Sequence, residues 1–256
     1  MSNQTHRSDP QVLNRRTLEI DHRVLAGVLR PGMSVLDVGC GTGAITAGIA
    51  RVTGDAVGMD RDESLLAIAR RDHGDIPGLT FERHDAASME FPPRFDVVTA
   101  ARALQWMSDP GAALGRMMKA AKPGGLVVVL DYNHGRNAWA PDPPAAFTRF
   151  YEAFLAWRAA NQWDNEMAEH LPSLFAAAGL TDIRVIPSDE VAARGSPAAE
   201  VWAHVITSVG PQIVAAGFLT DDERLQAADG YRQYLDSSFE RQTLSMATVT
   251  GVRPRV

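Results

Sequence analysis

Three glycines and three aspartates carry most of the chemistry that can be read from this chain. Gly39, Gly41 and Gly43 follow the run Met33 to Val38, which is apolar and β-branched apart from Ser34 and Asp37. They precede Ala44, Ile45, Ile49, Ala50 and Val52. The run reads as a strand buried on both faces. The glycines read as a tight turn without Cβ atoms, open to the close approach of a ligand. The residues after them form a helix whose first N–H groups suit a carboxylate or phosphate. Alone, this points only to a nucleotide-like ligand. Asp37 lies inside the first strand, Asp60 after a second and Asp85 after a third. In a doubly wound sheet such strand ends border one crevice. Asp60 stands 21 residues beyond Gly39, where an acid can accept both hydroxyls of a ribose. Asp85 could accept from the exocyclic amine of an adenine. Any one of these acids could instead cap a helix or sit in a turn.

The elements that must position them alternate through residue 131. Val12 to Leu29 reads as a helix with Leu13, Thr17, Ile20, Val24 and Val28 on one face, ended by Pro31 and Gly32. Strands follow at Ala56 to Met59, Leu79 to Arg83, Phe95 to Ala100 and Leu126 to Leu130. Asp62 can cap a helix bearing Leu65, Leu66 and Ala69. Ser108 or Asp109, with Pro110 as first helical residue, opens another bearing Leu114, Met117 and Met118, stopped by Lys122 to Gly125. Strands separated by helices imply right-handed crossovers and a parallel sheet. Beyond it, a helix carries Phe147, Phe150, Tyr151, Phe154 and Leu155. A second runs from Pro172 to Ala178 and ends at Gly179, and Ile183 to Ile186 is a sixth strand. A third helix starts at Ser196 and Pro197 and carries Val201, Trp202, Val205 and Ile206. Thr220 and Glu223 form a capping box for a fourth, through about Phe239, and Leu244 to Val249 closes the sheet.

The expected fold is therefore α/β: a doubly wound, mostly parallel, seven-stranded sheet with helical insertions after strands 5 and 6. One domain would cover 1–256, with a cofactor-binding core at 10–131. Insertions at 132–180 and 187–240 would form a substrate lid.

Of the 256 residues 45% are hydrophobic, and the net charge is −6. That balance disfavours a nucleic-acid groove, which needs a basic face. The one cysteine, Cys40, excludes an internal disulfide framework or a cysteine-based zinc site. No apolar run reaches membrane-spanning length, and Met1 to Asp9 is polar, without a signal-peptide apolar region. A cytoplasmic protein with no membrane partner is expected, as a monomer or homodimer.

Together the motifs resemble the class I S-adenosylmethionine-dependent methyltransferases over about residues 12–131. Val35 to Gly43 is similar to that family's glycine-rich first motif, Gly58 to Asp60 to the acidic end of its second strand, and His84 to Ala86 to its adenine-side acid. Phe95 to Val98 matches its fourth strand, and Lys122 to Gly125 the turn before its fifth. A nicotinamide-binding Rossmann domain shares the turn and the distal acid. Its third glycine, however, would fall where Ala44 stands, and it leaves Asp85 and the Pro-Gly-Gly turn without purpose. The resemblance implies S-adenosylmethionine as cofactor and S-adenosylhomocysteine as product. It places Gly39, Cys40, Gly41 and Gly43 against the methionine moiety and Asp37 toward its ammonium. Asp60 falls at the ribose, Asp85 and Ala86 at the adenine, and Ala101 near the methionine amine, with Arg61 also in the cofactor site. Leu104, Gln105 and Trp106, with Arg16 and Thr17, are similar to small-molecule enzymes of the trans-aconitate and malonyl-carrier type. That would put Arg16 near the cofactor carboxylate and Gln105 in the cofactor site. Arg16 could equally be a solvated helix-face charge, and Trp106 a roof over the cofactor or core filling.

Methyl transfer from a sulfonium is an in-line displacement in which positioning and exclusion of water supply much of the rate. A phenol, amine or carbon acid needs help losing its proton. His134, just past the fifth strand, is the expected general base. Eight of the 18 aromatic residues lie from Tyr132 to Trp163. Phe147, Phe150 and Phe154 would pack on the sheet. Trp106, Tyr132, Trp139, Trp157, Trp163 and Asn165 could line an apolar pocket for a small-molecule acceptor. Oxygen is the favoured acceptor atom, with nitrogen or carbon open. No histidine–carboxylate cluster has metal-ligand spacing, so no metal is expected. A methyltransferase-like protein that binds the cofactor without transfer (a cyclase, regulator or partner subunit) is the alternative.

Overall fold

The computed structural model describes residues 9–255, so the polar start read at Met1 to Ser8 lies outside the described residues. Its centre is a seven-stranded sheet in the order β3-β2-β1-β4-β5-β10-β7. These strands are β1 (Ser34–Val38), β2 (Asp55–Asp60), β3 (Leu79–Arg83), β4 (Phe95–Ala101), β5 (Ala121–Tyr132), β7 (Thr181–Pro187) and β10 (Met246–Val252). The pairs from β3 across to β5 are parallel and β10–β7 is antiparallel, as the alternating strands and helices imply. Every residue of β1 is buried, because helices cover both faces of a parallel sheet.

Helices α4 (Ala44–Thr53), α5 (Glu63–His73) and α6 (Pro110–Ala120) make the crossovers. Asp62 accepts from Ser64 N–H and Asp109 from Ala112 N–H, both as expected, since capping is decided within a few residues. Two apolar layers result. One joins Leu36, Val98, Leu114 and Phe175, the other Leu18, Val35, Ile49 and Leu66.

Several elements differ from the sequence reading. The single N-terminal helix is three short ones, α1 (Pro10–Asn14), α2 (Leu18–Asp21) and α3 (Arg23–Val28). Thr17 is extended and accepts from Ile20 N–H as a new N-cap, and His22 interrupts the next turn. The buried residues are consequently Leu18, Leu25 and Leu29, whereas Ile20 is 72% exposed. The Lys122–Gly125 turn is absorbed into β5, where Gly124 takes φ +81°. The helix expected from Pro172 begins five residues earlier, as α8 (Met167–Ala177) with Pro172 inside it.

The chain divides into two compact units. One comprises Pro10–Asp131, Met167–Pro187 and the segment from Ala247; the other contains Tyr132–Glu166 and Ser188–Met246. The second unit, expected to be helical, also holds a three-stranded antiparallel sheet, β6 (Ala138–Ala140), β9 (Arg241–Leu244) and β8 (Glu190–Ala193), in that order. The closing strand read at Leu244 to Val249 is therefore split between β9 and β10. The unit's helices are α7 (Ala145–Ala160), α9 (Val201–Ser208), α10 (Gly210–Ala215) and α11 (Asp221–Ser237). The last carries the complete Thr220–Glu223 capping box.

Candidate active site

In the sheet unit the chain runs outward through β1, β2 and β3, then returns to place β4 on the other side of β1. That reversal is a topological switch point, where strand ends open a crevice for a ligand. The β1 turn and the segment after β4 meet there. Gly39 has φ +74°, and a Cβ built on it would lie 2.7 Å from the Cβ of Ala103. Gly41 (φ +55°) and Gly43 (φ +76°) share this left-handed backbone, which side chains rarely adopt. The reading that these glycines make room for a ligand needs correction at two of them. A Cβ on Gly43 would meet the Phe81 ring at 2.6 Å, and Gly39 faces Ala103, so packing of neighbours requires both. Phe81 also fills the space beside Gly58 of β2. At Gly41, among the described residues, only the flexible end of Leu13 approaches, at 3.0 Å.

Asp60 holds the turn from the next strand. Its Oδ2 accepts from Gly41 N–H at 2.9 Å and its Oδ1 from Asp62 N–H at 3.0 Å. Burial raises its pKa against those bonds. Asp37 is buried near the C-terminal end of β1 and accepts from the Thr46 hydroxyl at 2.6 Å. Desolvation lifts its carboxyl to about 6, with the Thr46 bond opposing and Asp60's charge adding to the rise. Cys40 is a half-buried thiol, pushed well above its ordinary value by burial and by Asp37 and Asp60. Thr42, inside the turn, has a buried hydroxyl with no hydrogen-bond partner among the described residues.

Asp85 is exposed at the end of β3 and accepts from Ala87 N–H at 2.9 Å, beside buried Ala86. Arg61 is exposed, and its carbonyl accepts from Arg83 Nε at 3.2 Å. After Ala101, Arg102 adopts φ +57°. Its buried guanidinium donates to the Asp21 carbonyl at 3.2 Å and pairs with the Asp21 carboxylate at 3.4 Å. Gln105 is buried; its N–H donates to Asp131 Oδ2 at 3.1 Å and its side-chain amide to the Arg102 carbonyl at 3.3 Å. Trp106 is half-buried at the end of the same short 3-10 turn, and Arg16 is half-buried after α1. The residues sequence reasoning missed (Thr46, Phe81, Arg102, His22) are distant partners, and only the Thr46 hydroxyl, one turn into α4, left a local trace.

The insertion unit changes the expected roles of several aromatic residues. Trp157 and Trp163 are buried and meet edge to face at 5.0 Å, so they are core rather than pocket lining. Asn165 is consumed structurally: its Oδ1 accepts from Arg158 Nε at 2.7 Å and its amide donates to the Leu155 carbonyl at 3.0 Å. Of the Phe147, Phe150, Phe154 stripe, Phe147 and Phe154 find ring partners inside their own unit. Phe147 stacks on Tyr231 at 4.4 Å, and Phe154 meets Trp202 at 5.3 Å. Trp139 is half-buried against Phe147 and Tyr151.

His134 is buried, stacks on Tyr132 at 4.9 Å and meets Phe154 edge to face. Its backbone N–H donates to the Asn165 carbonyl at 2.7 Å, and its backbone carbonyl accepts from the Tyr151 hydroxyl at 2.6 Å. Burial, and then the charge of Arg158, hold its imidazole well below the usual histidine range. The ring is neutral at pH 7 and a weak base.

The chain resembles known proteins in sequence and in fold. Residues 29–179 match the model of a family described as a methyltransferase domain. The ubiquinone/menaquinone biosynthesis C-methyltransferase UbiE of Shewanella frigidimarina is 35% identical over 119 residues, 44% of this chain and 47% of that protein. The chain thus spans about half the length of the curated relatives it matches. Phosphoethanolamine N-methyltransferase 2 of Haemonchus contortus, solved with phosphomonomethylethanolamine and S-adenosylhomocysteine, has a TM-score of 0.58 at 21% identity. It covers 91% of this chain and 52% of its own. The cyclase SpnF has a TM-score of 0.56 at 22% identity, with coverage of 96% and 80%. At such identities the likeness is one of fold.

Proposed function

We propose that this chain, which belongs to the class I S-adenosylmethionine-dependent methyltransferases, transfers the cofactor's methyl group to a small-molecule acceptor. The observation that carries the reading is the Gly41–Asp60 tie at the switch point, with buried Asp37 beside it, inside the matched segment. The donor set fits this cofactor. Asp60 suits a ribose diol, and Asp37 suits an ammonium. Exposed Asp85 and the Ala86 N–H suit the adenine edge, and the orphaned Thr42 hydroxyl offers one further polar contact. Gln105 and the chain at Ala101 supply polar groups for the methionine end, and Arg16 a positive charge for its carboxylate.

When bound, the cofactor supplies a methyl group on sulfonium, an electrophile open to in-line attack. The protein's work is then to orient the acceptor and keep out water. The relatives named as C-methyltransferases favour a carbon nucleophile, whereas the sequence alone favoured oxygen. A phenol or enol, nucleophilic at either atom, reconciles the two. A neutral, weakly basic His134 suits an acceptor that is already acidic, and the half-buried rings of Tyr132 and Trp139 in the same unit suit a flat one.

Isothermal titration with S-adenosylmethionine and S-adenosylhomocysteine is the first test, with micromolar binding of both expected. Mass-spectrometric screening of phenols and 1,3-dicarbonyl compounds should then find a methylated product. Binding without transfer to any acceptor would favour the non-transferring alternative, and no binding by folded protein would overturn the proposal.

A further inference from the structure

Thr46 is the third residue of α4. It is fully buried, and its hydroxyl reaches back across the glycine turn to Asp37 Oδ2 at 2.6 Å. Asp37 is flanked in the sheet by Gly58 of β2 and Thr99 of β4, neither of which carries charge. The titratable groups facing it are Asp60 at the end of β2, which repels it, and the neutral Cys40 thiol in the turn. The charge-assisted bond from Thr46 therefore favours the ionised form, against both burial and Asp60.

We propose that Thr46 is a positioning residue that keeps the Asp37 carboxylate ionised and oriented to receive the ammonium group of an amino-acid-bearing ligand. The proposal rests on the cofactor reading above. Desolvation has already brought Asp37 to about 6, so loss of the Thr46 bond would carry its titration into the neutral range. The sequence offers the same logic in miniature. A hydroxyl one turn into the helix, nine residues after a strand acid, can close the strand–turn–helix unit from inside.

The test compares wild type with Thr46→Val, Thr46→Ser and Asp37→Asn. S-adenosylhomocysteine binding is followed by calorimetry from about pH 6.5 to about pH 8.5. Titration of the Asp37 carboxyl carbon is followed by NMR in the ligand-free protein. Loss of a hydrogen bond to a charged group should weaken Thr46→Val binding about tenfold at the acid end and about twofold at the alkaline end. Titration of the ligand's own amine affects both proteins equally and cancels in that ratio. Thr46→Ser should bind like wild type, and Asp37→Asn weakly without the pH slope. A ratio constant across pH, or an Asp37 midpoint unmoved in Thr46→Val, would overturn the proposal. If wild type fails to bind, the cofactor reading fails, while the NMR titration still decides the Thr46–Asp37 coupling. Thr46→Ala, which adds no methyl group, replaces Thr46→Val should that variant not fold.

Discussion

The Gly41 N–H donates to Asp60 Oδ2 at 2.9 Å, so the middle glycine of the β1 turn is tied to the end of β2. One carboxylate thereby sets both the turn and the entry to α5, where Asp62 N–H takes its other oxygen. Asp60→Ala should weaken S-adenosylmethionine binding by about 1–3 kcal/mol, because a charged acceptor is lost. It should also lower the urea midpoint, since two backbone donors lose their partner. Wild-type affinity in calorimetry would remove Asp60 from the site.

Gly58 and Phe81 form a second such pair, through packing. A Cβ on Gly58 would lie 2.8 Å from the Phe81 ring and 3.0 Å from Cys40 Sγ. Gly58→Ala should cost about 1–3 kcal/mol of stability by overpacking. Phe81→Leu in the same chain should return part of it. A double-mutant cycle on urea midpoints reads the coupling, and strict additivity would refute the packing account.

Arg102 locks the N-terminal segment to the end of β4 through Asp21. His22 adds a second tie: the Thr99 hydroxyl donates to the Val128 carbonyl, so His22 Nε2 is the donor to Thr99, at 2.9 Å. Arg102→Met breaks a buried ion pair and should destabilise by about 3–5 kcal/mol. Asp21→Asn should cost less, because the guanidinium keeps its bond to the Asp21 carbonyl. Equal costs in chemical denaturation would contradict this ordering.

Buried histidines and a buried aspartate set opposing pH trends. Desolvation, and then Arg102, lower His22 from 6.5 to about 3, and His134 also lies well below 6.5. Their unfolded forms bind protons that the folded forms refuse. Stability present above pH 6.5 is therefore lost as pH falls, by up to about 1.4 kcal/mol per pH unit for each. Asp37 acts oppositely. Its folded pKa is raised from 3.8 to about 6, so its contribution is present below pH 3.8 and lost as pH rises through 6. His134→Asn should flatten the acid-side loss in urea titrations between about pH 6.5 and 5. An unchanged slope would mean that His134 is protonated in the folded protein.

For turnover, His134→Ala should lower methyl transfer while leaving cofactor affinity near wild type. Because the imidazole stays neutral, the pH–rate profile should show no inflection from it near pH 6.5. Unchanged turnover in the variant would exclude His134 from the reaction.

The strand, glycine turn and helix from Ser34 to Thr53 were legible in the sequence, as were the caps at Asp62, Asp109 and Thr220. Each depends on residues a few positions apart: apolar runs, backbone freedom, a side chain reaching an N–H two or three residues on. The order of acids along successive strands was readable for the same reason. Tertiary structure alone decided the rest. The β6-β9-β8 sheet is assembled from segments of three or four residues drawn from distant parts of the chain, too short to show periodicity. Leu18, rather than Ile20, faces the core because Thr17 and His22 break the helix, and two core packings of one periodic pattern differ only by such breaks. The glycines at 43 and 58 answer to Phe81, Asp37 to Thr46, and Arg102 to Asp21. A sequence determines what each residue can do with its near neighbours. Which distant side chain fills its missing Cβ or shares its proton is settled only when burial brings the two together.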